Sequence, residues 1–135
     1  MSRPRVVYHV QVPVDYCRQL ATLFGLAHWR IDFDPGDPGD DCLAAMRVIS
    51  GQQRAALQIG RTYNSLSPED QRSTMLHELL HIWLWQVTEV VEGVAALLGT
   101  HAAHVVSHNH DLAVERATDA ISIAIAEHFP LPGGK

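Results

Sequence analysis

The chain has 135 residues, of which 47% are hydrophobic and 19% are charged, a balance typical of a globular protein. Its formal net charge of −5 argues against a surface that binds nucleic acid. No segment reaches the roughly 18 uninterrupted apolar residues of a membrane span, and the chain does not start like a signal peptide. We therefore expect a single domain over residues 1–135, without a membrane partner.

The first half of the chain predicts one helix and three short strands. An apolar stripe predicts a helix from Asp15 to Leu26. The predicted strands cover residues 29–33, 42–49 and 55–59. A turn at residues 50–53 joins the second and third strands, which predicts a hairpin. The two cysteines, Cys17 and Cys42, form no C-x-x-C pair, and this favours a reducing, cytoplasmic setting.

The second half predicts two helices joined by a loop. Ser67 as N-cap and Pro68 at the first helical position mark a strong helix start. We expect this helix to run to about Leu98. A polar, histidine-rich loop is expected at residues 100–109, followed by a last helix at residues 110–128. A small sheet packed against helices is an α+β arrangement.

The most informative segment is His77-Glu78-Leu79-Leu80-His81, an H-E-x-x-H motif inside the predicted helix. Histidines four residues apart lie on one face of a helix, so both imidazoles can bind one Zn²⁺. Glu78 lies beside them and can take a proton from a water on the metal. The flanks are apolar on nearly every side, which predicts burial, and buried ionisable groups are costly unless paired or bound to metal.

A catalytic zinc site takes three protein ligands and leaves one position for water. The metzincin motif requires Gly at position 84 and His at position 87, whereas the chain has Leu84 and Val87. We expect Glu115, on the helix after His81, to be the third ligand. Asp119 follows at i+4 on the same face and is expected to accept the remaining N–H of a ligand histidine.

Other residues compete for these roles. The competing metal ligands lie in and just after the predicted loop: His101, His104, His108, His110 and Asp111. Candidate donors to a developing oxyanion are His108, His110 and, before the motif helix, Tyr63. Four alanines predict close packing of the last helix against another helix: Ala113, Ala117, Ala120 and Ala124.

The pair His77-Glu78-x-x-His81 and Glu115-x-x-x-Asp119 resembles the gluzincin pattern. The order of a helix, a short hairpin, a polar turn and the motif helix is similar to minigluzincins and to ImmA/IrrE-like and phage-encoded small metallopeptidases. The resemblance implies a zincin-like fold in which the third strand borders the cleft and pairs with an extended peptide. It also implies that His77, His81 and Glu115 bind zinc, that Glu78 is the base and that Asp119 orients a histidine.

We therefore expect a zinc-dependent metalloendopeptidase that acts on a peptide or protein, with Zn²⁺ as cofactor. The residues leave two alternatives. A fourth protein ligand such as His108 or His110 would favour a non-catalytic zinc protein of the same fold, for instance a phage or mobile-element accessory component. Nine histidines also suit a metal-handling protein that binds several metal ions per chain. No feature of the sequence predicts an oligomeric state.

Overall fold

A computed structural model of the chain describes residues 3–39 and 41–133. Its main elements are α1 (Arg3–Leu23), β1 (Arg30–Phe33), β2 (Ala44–Ile49), β3 (Arg54–Ile59), α2 (Pro68–Trp83), α3 (Trp85–Ala95) and α4 (Thr100–Ile125). Short 3-10 turns precede α2 at Tyr63–Ser65 and follow α4 at Ala126–His128. Four helices and a three-stranded sheet within the described residues confirm the predicted α+β class. None of these helices is both long and apolar enough to cross a bilayer.

The sheet has the strand order β1-β3-β2, in which β1 runs parallel to β3 and β2 runs antiparallel to it. The predicted hairpin is confirmed, since Ala44 pairs with Ile59 and Ile49 pairs with Arg54. The expectation that the third strand borders a cleft is wrong, because β3 is the central strand with a partner on each side. The strand beside α2 is β2, which lies at the edge of the sheet.

The core lies between the sheet and helices α1 and α2. Helix α2 turns one apolar face into it, formed by Met75, Leu76, Leu79 and Ile82. The strands and α1 complete it with Ile31, Ala44, Ala55, Leu57, Val14, Cys17 and Leu20. This burial fixes the rotation of α2 about its axis. The motif histidines therefore lie on another face of the same helix.

Helix α1 is longer than predicted. It begins at Arg3 rather than Asp15, and Pro13 lies inside it. A proline lacks the backbone N–H, so Pro13 removes one hydrogen bond of the helix without ending it. The helix ends at Leu23, and Gly25 follows with a φ of 79°, in the left-handed region that favours glycine.

The long motif helix that the sequence predicts is two helices. Its start is confirmed, because the Ser67 side chain accepts a hydrogen bond from the Asp70 N–H at 3.1 Å. Its predicted course to Leu98 is wrong, since α2 ends at Trp83 and α3 begins after Leu84. Neither Pro nor Gly lies at the break. The Trp83 indole N–H donates to the Phe24 carbonyl at 3.0 Å, and this tertiary contact anchors the end of α2.

The histidine-rich loop predicted at residues 100–109 is also wrong. This segment is helical and forms the first part of α4, which begins at Thr100. It packs against α3, where Thr88 Oγ1 and His110 Nε2 are 3.0 Å apart. Polar residues have modest helix propensity, but packing against a neighbouring helix outweighs that preference here.

Gly60 provides a test of how the edge strand is held in place. Its N–H donates to the Leu43 carbonyl at 2.8 Å, and a Cβ at this position would overlap the carbonyl oxygens of Cys42 and Leu43. Backbone atoms cannot move aside as the end of a flexible side chain can. We therefore predict that Gly60→Ala lowers the free energy of unfolding by about 2–3 kcal/mol. Urea denaturation measures the change.

The matched control for this prediction is Gly93→Ala. Gly93 lies inside α3, and a Cβ there meets no atom within 4 Å. Alanine is the better helix former, so this variant should gain about 0.5–1 kcal/mol. Similar unfolding midpoints for the two variants would contradict the close approach at Gly60.

Candidate metal centre

Packing of α4 against α2 brings the motif histidines to the carboxylates of α4. His77 Nε2 and His81 Nε2 are 3.3 Å apart. One Glu115 oxygen lies 3.0 Å from His81 Nε2, and the other lies 3.3 Å from His77 Nε2. Asp119 Oδ1 lies 2.8 Å from the second ring nitrogen of His77, Nδ1. His77, His81 and Glu115, the predicted metal ligands, therefore contact one another, and Asp119, the predicted orienting group, contacts His77.

Two small residues allow this contact between the helices. Thr118 and Ser122 are the buried residues of α4. Each hydroxyl donates to a carbonyl of its own helix at 3.0 Å, from Thr118 to Glu115 and from Ser122 to Asp119. Their polar groups are therefore satisfied without water. The predicted alanine face is wrong, since three of its four members are exposed: Ala113, Ala120 and Ala124.

The contacts of His77 determine which ring nitrogen faces the other donors. The Asp119 carboxylate can only accept, so the 2.8 Å contact requires a proton on His77 Nδ1. A neutral His77 then presents an Nε2 lone pair to His81 and Glu115. Thr118 Oγ1 lies 3.4 Å from this nitrogen, but its single hydrogen is directed to the Glu115 carbonyl. A proton on His81 Nε2 would be shared between His77 Nε2 and Glu115, and it would satisfy the His77 lone pair only in part. A cation bound between His77, His81 and Glu115 would satisfy all three side chains.

The separations of the donors fit zinc. A tetrahedral Zn²⁺ with ligand distances of about 2.0–2.1 Å requires donor atoms about 3.3 Å apart. The separations are 3.3 Å between the two Nε2 atoms, 3.0 Å from His81 Nε2 to Glu115 Oε1, and 3.3 Å from His77 Nε2 to the other Glu115 oxygen, Oε2. Two imidazoles and one carboxylate are also a ligand set that zinc accepts. Glu78 also lies within reach of a shared metal ion, since one ligand atom from each of His77, Glu78 and His81 lies within 4.8 Å of the others. Its Oε1 is 4.0 Å from His77 Nε2, however, which is farther than the nearest Glu115 oxygen.

Glu78 differs from the other carboxylates in its burial. Only 10% of its side chain is exposed, whereas the side chains of Glu115 and Asp119 are 56% and 67% exposed. Burial raises the pKa of Glu78 to about 8; a hydrogen bond from the Met46 backbone opposes this shift, and the Glu115 charge adds to it. Burial also lowers the pKa of His81, and the negative charge of Glu115 partly offsets this decrease. The site therefore combines the desolvated carboxylate of Glu78 with the solvent-exposed carboxylate of Glu115.

A cavity of about 320 Å³ opens beside the donors, between the edge of β2 and helices α3 and α4. His81 and Glu115 line it together with Met46 and Val48 of β2 and His110 of α4. Of the candidate oxyanion donors, His110 therefore lies in this cleft. Two others lie elsewhere: His108 is on the exposed surface of α4, and Tyr63 is 1% exposed.

The expectation that Tyr63 acts as a donor in the cleft is wrong. Its ring belongs to the hydrophobic core, and its hydroxyl donates to the Gln71 carbonyl at 3.5 Å. Burial also raises the pKa of Tyr63. The competing ligands His101 and His104 are exposed on α4, on the far side of His108 from the cleft.

Comparisons of the chain with protein-family models, with characterised proteins and with solved structures found no match. The arrangement of the side chains around His77 and His81 is therefore the basis on which a function is proposed.

Burial of Glu78 predicts a stability change that depends on pH in the metal-free protein. The folded pKa of about 8 lies above the ordinary 4.5, so the folded state keeps a proton that the unfolded state releases. The stability linked to this proton is complete below about pH 4.5 and is lost as the pH rises through about 8. Glu78→Gln removes the buried charge, so at pH 8.5 it should stabilise the metal-free fold by roughly 2–4 kcal/mol.

Thermal unfolding with a chelator at pH 5 and pH 8.5 measures this effect. The control is Glu92→Gln on α3, since Glu92 is exposed and should show no such difference. A gain for Glu78→Gln that is equal at the two pH values would show that the charge is not the cause.

Proposed function

We propose that the chain is a zinc-dependent metalloendopeptidase with a zincin-like fold of the gluzincin type. The observation that carries the proposal is the convergence of His77, His81 and Glu115 at separations near those of tetrahedral zinc ligands. Peptide hydrolysis by water also requires a general base, and the buried carboxylate of Glu78 lies beside these residues. Free Cys17 and Cys42 suit the cytoplasm, which is part of the proposal.

In the proposed centre, His77 and His81 would hold Zn²⁺ through Nε2, and Glu115 would hold it through a carboxylate oxygen. When bound, zinc supplies Lewis acidity, which lowers the pKa of water toward about 7 and polarises the scissile carbonyl. Asp119 accepts the Nδ1–H of His77 and so fixes both the tautomer and the orientation of the ring.

Glu78 is the proposed proton carrier. Its carboxylate takes the proton of the attacking water and returns it to the nitrogen of the leaving amine. The backbone hydrogen bond from Met46 holds the carboxylate between β2 and the histidines. A bound cation would lower the pKa of Glu78 and so favour the ionised carboxylate, which is the form that acts as a base.

The edge of β2 is the proposed binding site for the substrate backbone. The Leu43 carbonyl is bonded to Gly60, and backbone groups alternate along a strand, so those of Met46 and Val48 turn away from β3. The Met46 backbone accordingly bonds to Glu78, which lies on that side. An extended peptide can pair with the remaining groups of this edge, and its scissile bond then lies next to Glu78.

His110 is the proposed donor to the oxyanion of the transition state. It lines the cleft with His81 and Glu115, and its Nε2 lies 3.0 Å from Thr88 Oγ1. The same position supports one rival, a non-catalytic zinc site in which His110 is a fourth ligand. Loss of an oxyanion donor would leave the zinc affinity unchanged, whereas loss of a fourth ligand would lower it.

Metal content and activity test the assignment of the centre. We predict one zinc ion per wild-type chain at this centre and full zinc retention with activity reduced at least a thousandfold in Glu78→Gln, because this variant keeps all three ligands. Glu115→Ala should bind zinc at least tenfold more weakly. Asp119→Asn should cost about 10–100-fold in affinity or activity.

Zinc binding is measured by competition with a chromophoric chelator, and activity by mass spectrometry of a digested peptide library. Glu92→Ala, on an exposed position of α3, is the control and should match wild type. Unchanged zinc affinity in Glu115→Ala would remove it as a ligand, and cleavage at the wild-type rate by Glu78→Gln would reject the mechanism.

His110→Ala separates the peptidase from the closed zinc site. For an oxyanion donor, we predict a loss of about 10²–10³ in kcat with unchanged zinc affinity. For a fourth ligand, zinc affinity would fall instead, and the wild-type protein would be inactive. The control is His108→Ala, which changes an exposed histidine of the same helix.

A further inference from the structure

All three tryptophans of the chain line one cavity of about 260 Å³, which we call the tryptophan cavity. Trp29 precedes β1, Trp83 is the last residue of α2, and Trp85 is the first residue of α3. Two buried core residues, Leu26 and Ile82, line the cavity with them. Trp83 is 50% exposed, so a large aromatic surface faces solvent here. Exposed apolar surface of this kind is typical of a binding site.

A carboxylate is held in place at the same cavity. Glu89 lines it, and its Oε1 accepts two hydrogen bonds of 2.7 Å, from the Ser50 hydroxyl and from the Trp85 indole N–H. Both bonds end on Oε1, so Oε2 can accept from a ligand without the loss of either bond. No Lys or Arg belongs to the described lining of the cavity, so no basic side chain of the lining neutralises Glu89. Aromatic rings beside a carboxylate form a site that suits an organic cation.

The tryptophan cavity continues the cleft at the candidate metal centre. Trp85 lines both cavities, and β2 runs from one to the other, because Met46 and Val48 line the cleft and Ile49 lines the tryptophan cavity. At a rise of about 3.3 Å per residue, Ile49 is roughly 10 Å from Met46 along the strand. A peptide paired with the edge of β2 therefore reaches the tryptophan cavity about three residues from its position opposite Met46.

We propose that the tryptophan cavity binds a Lys or Arg side chain of the peptide substrate. This inference rests on the proposed function, in which the edge of β2 positions the peptide. The cationic group lies against the indole rings and donates to Glu89 Oε2, while the apolar stem of the side chain covers Leu26 and Ile82. A neutral side chain gains the aromatic contact but no ion pair, so the charge of Glu89 selects a basic residue.

The size of the cavity supports a single side chain as its occupant. Sites for separate small-molecule ligands have volumes of roughly 300–1,000 Å³, whereas this cavity has about 260 Å³. An acidic side chain is disfavoured, because it would place a second negative charge beside Glu89.

The cleavage pattern of a randomised peptide library tests this selectivity, and Glu89→Gln is the decisive variant. Its carbonyl oxygen can still accept from Ser50 and Trp85, so the variant removes the charge and retains both bonds. We expect wild type to prefer Lys or Arg over Gln and Leu by about fivefold or more at one position, about two to four residues from the scissile bond. In Glu89→Gln this preference should fall below about twofold. The control Glu92→Gln removes an exposed charge of α3 outside the cavity and should keep the preference.

Peptide binding provides a readout that does not depend on hydrolysis. Because all three tryptophans line the cavity, their fluorescence reports its occupancy. The Glu78→Gln protein is titrated with a short alanine-serine peptide that carries one lysine, and with the same peptide carrying norleucine instead. We expect the lysine peptide to bind about fivefold more tightly or better, and Glu78→Gln/Glu89→Gln should bind the two peptides equally.

Two results would overturn the proposal: equal affinities of the two peptides for Glu78→Gln, or a lysine preference that survives in Glu78→Gln/Glu89→Gln. Failure of the proposed function gives a different result. Selective binding of the lysine peptide together with no cleavage by the wild-type protein would reject the peptidase and retain the cation site. Cleavage without a basic preference would reject the cation site and retain the peptidase.

Discussion

The close packing of α4 on α2 is the constraint on which the candidate site depends. The motif histidines lie on α2, and the carboxylates in closest contact with them, those of Glu115 and Asp119, come from α4. Thr118 and Ser122 are small and buried, and their hydroxyls bond within α4, so the two helices approach without an unsatisfied polar group. Glu115 and Asp119 precede these two residues on α4 by three positions each. The packing of Thr118 and Ser122 in the interface therefore holds the carboxylates of Glu115 and Asp119 next to His77.

Contacts with α4 and β2 give two polar groups of the site a partner outside the candidate ligand set. His77 donates to Asp119, and Glu78 bonds to the Met46 backbone. Each partner fixes the orientation of one group and leaves another lone pair directed at the common centre. A preorganised site of this kind loses little conformational freedom when an ion binds. The cost is the buried Glu78 carboxylate, which destabilises the metal-free fold when it is ionised.

Sequence alone was sufficient for the parts of this structure that depend on local signals. The Ser67 cap, the β2–β3 hairpin and the spacing of the motif histidines each follow from neighbouring residues. The contact of Glu115 with these histidines was expected from the need for a third ligand, and the ligand role itself stays a prediction. The strand order, the break at Leu84 and the helical histidine segment did not follow. Tertiary contacts decide them, such as the bond from Trp83 to the Phe24 carbonyl. Thr118 was missed because threonine is rarely a core residue.

The packing of both α2 and α3 along α4 links these unpredicted features to the cleft. Helical hydrogen bonds from the Leu84 N–H to the Leu80 carbonyl and from the Thr88 N–H to the Leu84 carbonyl span the break between α2 and α3. Thr88 meets His110 of α4, and both residues line the cavity opposite the edge of β2. Helix α4 therefore supplies the carboxylates next to His77 and, through its contact with α3, one wall of the cleft.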